Sequence, residues 1–81
     1  MTLTVHLFAA ARDLARTAAV TVELPARATV ADLRAAVAAA APALGPLLAR
    51  SAVAVDHDFA DDGRTLAGTE EVAVIPPVSG G

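Results

Sequence analysis

Eighty-one residues, no cysteine, and six arginines against nine carboxylates, for a net charge of −3, bound this chain to one small acidic domain. Without a thiol there is no disulfide framework, thiolate nucleophile or cysteine-held metal. Without clustered cations, and with Phe8 and Phe59 the only aromatics, a nucleic-acid surface is disfavoured.

Taken in chain order, residues 2–8 alternate Leu3, Val5 and Leu7 against Thr2, Thr4 and His6, which predicts a strand. The same alternation, with no basic segment before it, argues against an export signal, and no run reaches the length of a membrane span, so a cytoplasmic protein is expected. Residues 9–16 are alanine-rich and predict a short helical turn. A second strand over 18–24 places Val20, Val22 and Leu24 on one face, ends at Pro25 and is expected to pair antiparallel with the first. Thr29 is the predicted N-cap of the one long helix, with Asp32 three residues on as a short-armed capping box. Val30, Leu33, Val37 and Ala40 share one helical face, and Pro42 ends the helix by constraining Ala41. Residues 43–50, broken by Gly45-Pro46, read as a short helical turn or loop.

A third strand is predicted over 52–55, then a turn region over 56–64 with a short strand at Phe59-Ala60, and a last strand over 71–75. Val72-Ala73-Val74-Ile75 is apolar at every position, the pattern of a strand buried on both faces, so it is expected mid-sheet beside the first strand. This β-β-α-β-β order gives an α+β fold of the β-grasp type: a mixed sheet with one main helix packed across it. The domain spans residues 1–75 and the tail residues 76–81.

The tail reads Pro76-Pro77-Val78-Ser79-Gly80-Gly81. Proline lacks a backbone N–H, so the diproline cannot extend a ladder and holds an extended path instead. At roughly 3.1 Å per residue the six residues reach about 19 Å, enough to enter a narrow channel in another protein. Gly80 allows close backbone approach, and Gly81 ends in a carboxylate with no side chain crowding its carbonyl carbon. This describes an unhindered acyl group on a stalk.

The motif around Asp56 fails as a calcium loop. Counted from Asp56, the sixth position is Asp61 where glycine is required and the twelfth is Ala67 where glutamate is required. A solvated acidic turn is the expectation there, with no metal site. No serine elbow and no glycine-rich phosphate loop is present, so autonomous hydrolytic or kinase activity has no support.

Three segments together resemble a known family. They are Leu7-Phe8-Ala9 followed by Arg12-Asp13-Leu14, the helix opening Ala28-Thr29-Val30-Ala31-Asp32-Leu33, and the run from Glu71 through Pro-Pro-Val-Ser-Gly-Gly. The chain is similar over its whole length to the small subunits of molybdopterin synthase, which are ubiquitin-like sulfur carriers. It departs from them at Asp56-His57-Asp58, where an Asn-led turn is common, and at Ala67-Gly68-Thr69-Glu70-Glu71-Val72, where Lys followed by Asp-Gly-Asp-Glu-Val is common.

The resemblance implies a non-catalytic, sulfur-donating subunit of a heterotetrameric synthase. An ATP-dependent adenylating enzyme would activate the Gly81 carboxylate, and sulfide equivalents would displace AMP to leave a thiocarboxylate. The tail would carry that sulfur into the large subunit for transfer to the cyclic pyranopterin precursor. No cofactor is bound permanently; the acyl-adenylate and thiocarboxylate at Gly81 are transient. For partner contact the expected residues are Phe8, Phe59 and Ile75 as an apolar patch around the tail's root, Arg12 as a polar contact at its edge, and Pro76, Pro77, Val78 and Ser79 of the tail, with Gly80 next to the reacting residue. Two other readings stand beside this one: a sulfur carrier for thiamine or cysteine synthesis, and a protein modifier joined to target lysines through Gly81.

Overall fold

The computed structural model describes residues 1–78. Strand β1 (Thr2–Leu7) is followed by helix α1 (Ala9–Ala15) and strand β2 (Ala19–Glu23), then by the main helix α2 (Val30–Ala40). A 3-10 turn (Pro42–Leu44) leads into the short helix α3 (Gly45–Leu48) and strands β3 (Ala52–Val55), β4 (Asp58–Ala60) and β5 (Val72–Ile75). The five strands form one mixed sheet in the order β2-β1-β5-β3-β4. β1 is antiparallel to β2 and parallel to β5, and β3 is antiparallel to both β5 and β4. This is the β-grasp arrangement, with the C-terminal strand at the centre.

The helices lie on one face of the sheet only. Leu3, Val5 and Leu7 of β1, Val53 and Val55 of β3, and Val72 and Val74 of β5 point into that layer and are buried against Val30, Leu33 and Val37 of α2. Ala40, expected on the same helical face, is exposed; Leu44 in the following 3-10 turn takes the buried position beyond Val37. Neither phenylalanine enters this aliphatic core.

Helix α2 is fixed at its start by main-chain and side-chain partners together. The Thr29 N–H donates to Asp32 Oδ2 at 2.9 Å and the Asp32 N–H donates to Thr29 Oγ1 at 3.4 Å, completing the capping box. The next two amides, of Val30 and Ala31, donate to the carbonyls of Arg64 and Asp62, both at 3.0 Å. The loop before β5 thus satisfies amides that an isolated helix leaves open. Arg34 secures the same contact, with Nε 2.7 Å from Asp62 Oδ1 and Nη1 2.6 Å from the Leu48 carbonyl.

One expectation is corrected by this layering. The uniformly apolar β5 is central in the hydrogen-bonded sheet, but it is not covered on both faces: Ala73 is half-buried and Ile75 is exposed. Centrality of a strand and coverage of its two faces are separate properties, and here a single helical layer covers just one side.

Candidate functional site

The uncovered face of the sheet carries a row of side chains set by strand register. Ala19 of β2 pairs with His6 of β1, His6 with Ala73 of β5, Ala73 with Ala54 of β3, and Ala54 with Phe59 of β4. Residues in register on neighbouring strands share a face, so the two alanines form a low floor between larger neighbours. His6 and Phe8 stand on one side of this floor and Phe59 on the other, with Ile75 beyond Ala73 along β5. The result is a shallow groove of about 250 Å³.

The groove has two chemically different ends. Ile75 and Phe8 mark one; His57 and Glu71 mark the other. At that second end β3 turns into β4 through Asp56 and His57, whose φ angles are 50° and 72°. Two successive left-handed residues between paired Val55 and Asp58 make a two-residue hairpin of the I′ kind, a turn that ordinarily selects Asn-Gly. Asp56 is retained by its bonds to β5: its N–H donates to the Glu71 carbonyl, and its Oδ1 accepts from the Glu71 N–H, both at 2.8 Å. The departure at Asp56-His57-Asp58 therefore keeps a tight hairpin, tied to the start of the central strand. His57 Nε2 lies 3.4 Å from Glu71 Oε2, both side chains well exposed.

Just upstream, Glu70 organises the loop that leads into β5. Its carboxylate accepts the N–H groups of Ala67 at 2.7 Å, Gly68 at 2.8 Å and Thr69 at 3.1 Å. Those amides, the Ala67 N–H foremost, hold its carboxyl below the usual glutamate range against a smaller opposing effect of burial.

The tail begins at the apolar end of the groove. Pro76 is buried, whereas Pro77 is exposed and Val78 is 93 % exposed. Pro76, Pro77 and Val78 run beside Phe8, Ala9, Ala10 and Ile75. The first proline is an anchor in the body, and the accessible surface starts at the second. Phe8 and Ile75 thus border both the open face and the root of the tail.

Of the residues expected at a partner surface, Phe8, Phe59 and Ile75 come together as one exposed apolar face, with Phe59 74 % exposed. Arg12 is exposed on α1 and lines neither the groove nor the tail root. Pro77 and Val78 are accessible; Pro76 is not. Ser79, Gly80 and Gly81 lie outside the described residues. His6, His57, Ala54, Ala73 and Glu71 were not singled out by sequence reasoning as groove residues. The available signal was the pair of alanines in the outward phase of strands whose inward phase is already apolar.

The model of the ThiS family matches residues 5–81. The chain belongs to the ThiS family. As a member it is a ubiquitin-like sulfur carrier or modifier of the ThiS/MoaD kind. The crystal structure of SAMP1 from Haloferax volcanii matches with a TM-score of 0.88 and 32 % identity, covering 100 % of both chains. A putative molybdopterin converting factor, subunit 1, from Pyrococcus furiosus matches with a TM-score of 0.84 and 26 % identity over 96 % of this chain and 99 % of that one. At 21 % identity and a TM-score of 0.70, with 100 % of both chains covered, subunit 1 in the complex of molybdopterin-converting factor subunits 1 and 2 from Helicobacter pylori shares the fold. Among the described residues, no helix of this ThiS-family protein is long and apolar enough to cross a membrane.

Proposed function

We propose that this ThiS-family protein is the sulfur-carrying small subunit of a molybdopterin synthase. The observation that carries the reading is the junction of an uncovered apolar sheet face with the root of a diproline tail, where Phe8 and Ile75 border both. A carrier needs a surface for its partner and an arm leaving from the edge of that surface. The Pro-Pro-Val-Ser-Gly-Gly ending and the likeness to the Pyrococcus furiosus converting-factor subunit support the molybdopterin branch.

The chemistry resides at Gly81. A carboxylate is a poor electrophile, so an adenylating enzyme joins it to the α-phosphate of ATP, releasing pyrophosphate and leaving a mixed anhydride. A sulfide equivalent adds to the carbonyl carbon and AMP departs, giving the thiocarboxylate. In the large subunit the thiocarboxylate sulfur attacks a carbon of the pterin precursor and displaces the oxygen substituent it carries; water then attacks the Gly81 carbonyl, leaving the sulfur on the pterin as a thiol and returning the carboxylate. Glycine at 80 and 81 leaves that carbonyl open on both approaches. The large-subunit partner is supported by the Helicobacter pylori complex, in which a protein of the same fold is held by subunit 2.

A second reading has its own support: at 32 % identity over the full length of both chains, SAMP1 of Haloferax volcanii is by its name a modifier protein. Mass spectrometry of the protein from its own cells separates the two. An oxygen-for-sulfur mass increment at the C-terminal peptide, with sulfur passed to the pterin precursor by the reconstituted synthase, is expected for the carrier. Lysine-linked adducts through Gly81 without pterin thiolation would replace this reading with the modifier.

A further inference from the structure

We propose that Ala9 is a positioning residue for the tail: its strained turn takes the chain that follows β1 out of the tail's path, and its methyl, with that of Ala10, forms the wall along which Pro77 and Val78 leave the body. The inference rests on the carrier reading above and names the residue that aims its arm.

Topology creates the need for such a turn. β1 and β5 are parallel neighbours whose last rungs are in register, with Leu7 opposite Val74. Both chains therefore reach the same rim of the sheet side by side and heading the same way. Strands lie only about 4.8 Å apart, so the two segments cannot both run on without one turning aside. Pro76 follows directly after β5, and its fixed φ and missing N–H favour an extended path for the tail. The turn falls to the other chain.

That turn is tight and strained. The Phe8 carbonyl accepts the Ala11 N–H at 3.1 Å, which closes a four-residue turn with Ala9 as its second member. Ala9 has a φ of 49° whereas Ala10 has no positive φ, the sign pattern of a II′ turn, whose second position ordinarily takes glycine. Asp56, also left-handed, gains a bond to Glu71 through its side chain; alanine has no polar group with which to do the same. Strain of this kind persists only where the surroundings hold it in place. Leu7 is fixed in the ladder on one side of the turn, and Ala11 is fully buried in the core on the other.

What a glycine would lack is the methyl, and that methyl stands beside the tail. Ala9 and Ala10 line a cleft bounded across from them by Pro76, Pro77 and Val78. Pro77 is exposed and Val78 is 93 % exposed, so the start of α1 is the last part of the body that runs alongside the arm in the described residues. An arm held toward one direction before docking loses less freedom when a partner orders it. The strained residue therefore sits where a small change in the wall alters the direction of everything beyond Pro77.

The test uses the full chain, which has no cysteine, so spin labels can be placed at an Ala39→Cys, Val78→Cys pair alone. Ala9→Gly relieves the strain and removes the methyl, so stability and aim are expected to move in opposite senses. The urea midpoint should rise, the label-to-label distance distribution from double electron–electron resonance should broaden, and KM for sulfur transfer through the large subunit should rise severalfold at nearly constant kcat. Arg16→Gly is the control: Arg16 also has a positive φ, 59°, but caps the far end of α1 and lines neither the groove nor the tail root. It should raise the midpoint and leave the distribution and KM unmoved. Ala10→Leu thickens the wall without touching the strained residue and is expected to shift the mean distance, which keeps the proposal testable where Ala9→Gly folds poorly. An unchanged width and KM in Ala9→Gly, a lowered midpoint in that variant, equal broadening in Arg16→Gly, or an unshifted mean in Ala10→Leu would each overturn the proposal. The distance measurement needs no partner, so its failure is distinct from failure of the pathway. A chain that broadens in Ala9→Gly but thiolates no pterin keeps the positioning role and loses the pathway, whereas normal thiolation with an unmoved distribution keeps the pathway and loses the role.

Discussion

Asp56 and His57 both occupy left-handed backbone at a turn where Asn-Gly is the usual pair, yet the two are not equivalent. Asp56 makes two main-chain contacts with Glu71 that a glycine would halve, since only its N–H bond would survive. His57 has only a long contact with an exposed carboxylate, of the kind that contributes little. Left-handed backbone costs a non-glycine residue about 1–2 kcal/mol, against roughly 0.5–1 kcal/mol for the extra entropy a glycine loses on folding. His57→Gly is therefore expected to stabilise the domain by about 0.5–1 kcal/mol, read as a raised urea midpoint at constant slope, whereas Asp56→Gly should lower it. Glu70 gives a second prediction. Its carboxyl is depressed in the folded chain by the amides of Ala67, Gly68 and Thr69, so folding favours the ionised form. The resulting stabilisation is complete above the ordinary glutamate value of about 4.3 and is lost as pH falls through the lower folded value. Glu70→Gln should therefore flatten the acid limb of the stability curve below about pH 4.3, and the Ala67 amide should exchange faster in the variant at neutral pH. An acid limb identical to that of the unaltered chain would show that the three amides do not sense the carboxylate's charge.

At the scale of elements, α2 is held at its start by the Thr29–Asp32 capping box and by carbonyls of the 61–64 loop. Thr29→Ala removes the side-chain acceptor for the Asp32 N–H and is expected to cost about 1 kcal/mol, measured by denaturant unfolding. Because the loop carbonyls remain, the helix should still form, and amide exchange should rise mainly in its first turn. Local patterning made this element legible: the cap, the 3.6-residue spacing of Val30, Leu33 and Val37, and the stop at Pro42 all lie within fourteen residues. Alternation likewise located β1 and β2, and the apolar run at Val72–Ile75 located the central strand. Other features were set by distant contacts and left no local mark. Nothing near Ile75 says that the helices cover one face alone, so an all-apolar strand reads as doubly buried even though Ala73 and Ile75 face outward. His6 and His57 are fifty-one positions apart and meet across one groove only because β5 inserts between β1 and β3. The exposed apolar patch of Phe8, Phe59 and Ile75 was expected from the family resemblance, since phenylalanine and isoleucine by type are most often core; its alanine floor and acidic end were not legible, because both depend on register. Pro76 carries the same lesson in miniature: proline marks the end of a strand, but whether its ring is buried depends on Phe8 and the start of α1, far away in the chain.

For the whole molecule, the proposed carrier role requires a domain of this size to deliver its C-terminal residues to another protein without spending the binding energy of a small face on ordering the arm. The two prolines divide that task. Pro76 is buried against the body and sets the point of departure, and Pro77, exposed, has its φ confined before any partner is met. A residue with restricted φ has less conformational freedom to lose on docking, and the effect of a proline on the free chain is worth about 0.4–1 kcal/mol. In Pro77→Gly that contribution is lost and glycine adds freedom of its own, so the arm enters the partner at a greater entropic cost. At about 1.4 kcal/mol per factor of ten, the proline term alone corresponds to a two- to fivefold rise in KM for sulfur transfer, with glycine pushing toward the upper end. The turnover of the bound complex should stay near that of the unaltered chain, because the groups at Gly81 are the same once the arm is seated. The unfolding midpoint should also hold, since Pro77 is outside the core. Steady-state transfer assays against increasing partner concentration separate these quantities. A fall in kcat at constant KM would mean that residue 77 shapes the reacting geometry itself, and an arm whose stiffness is irrelevant would leave both constants unmoved.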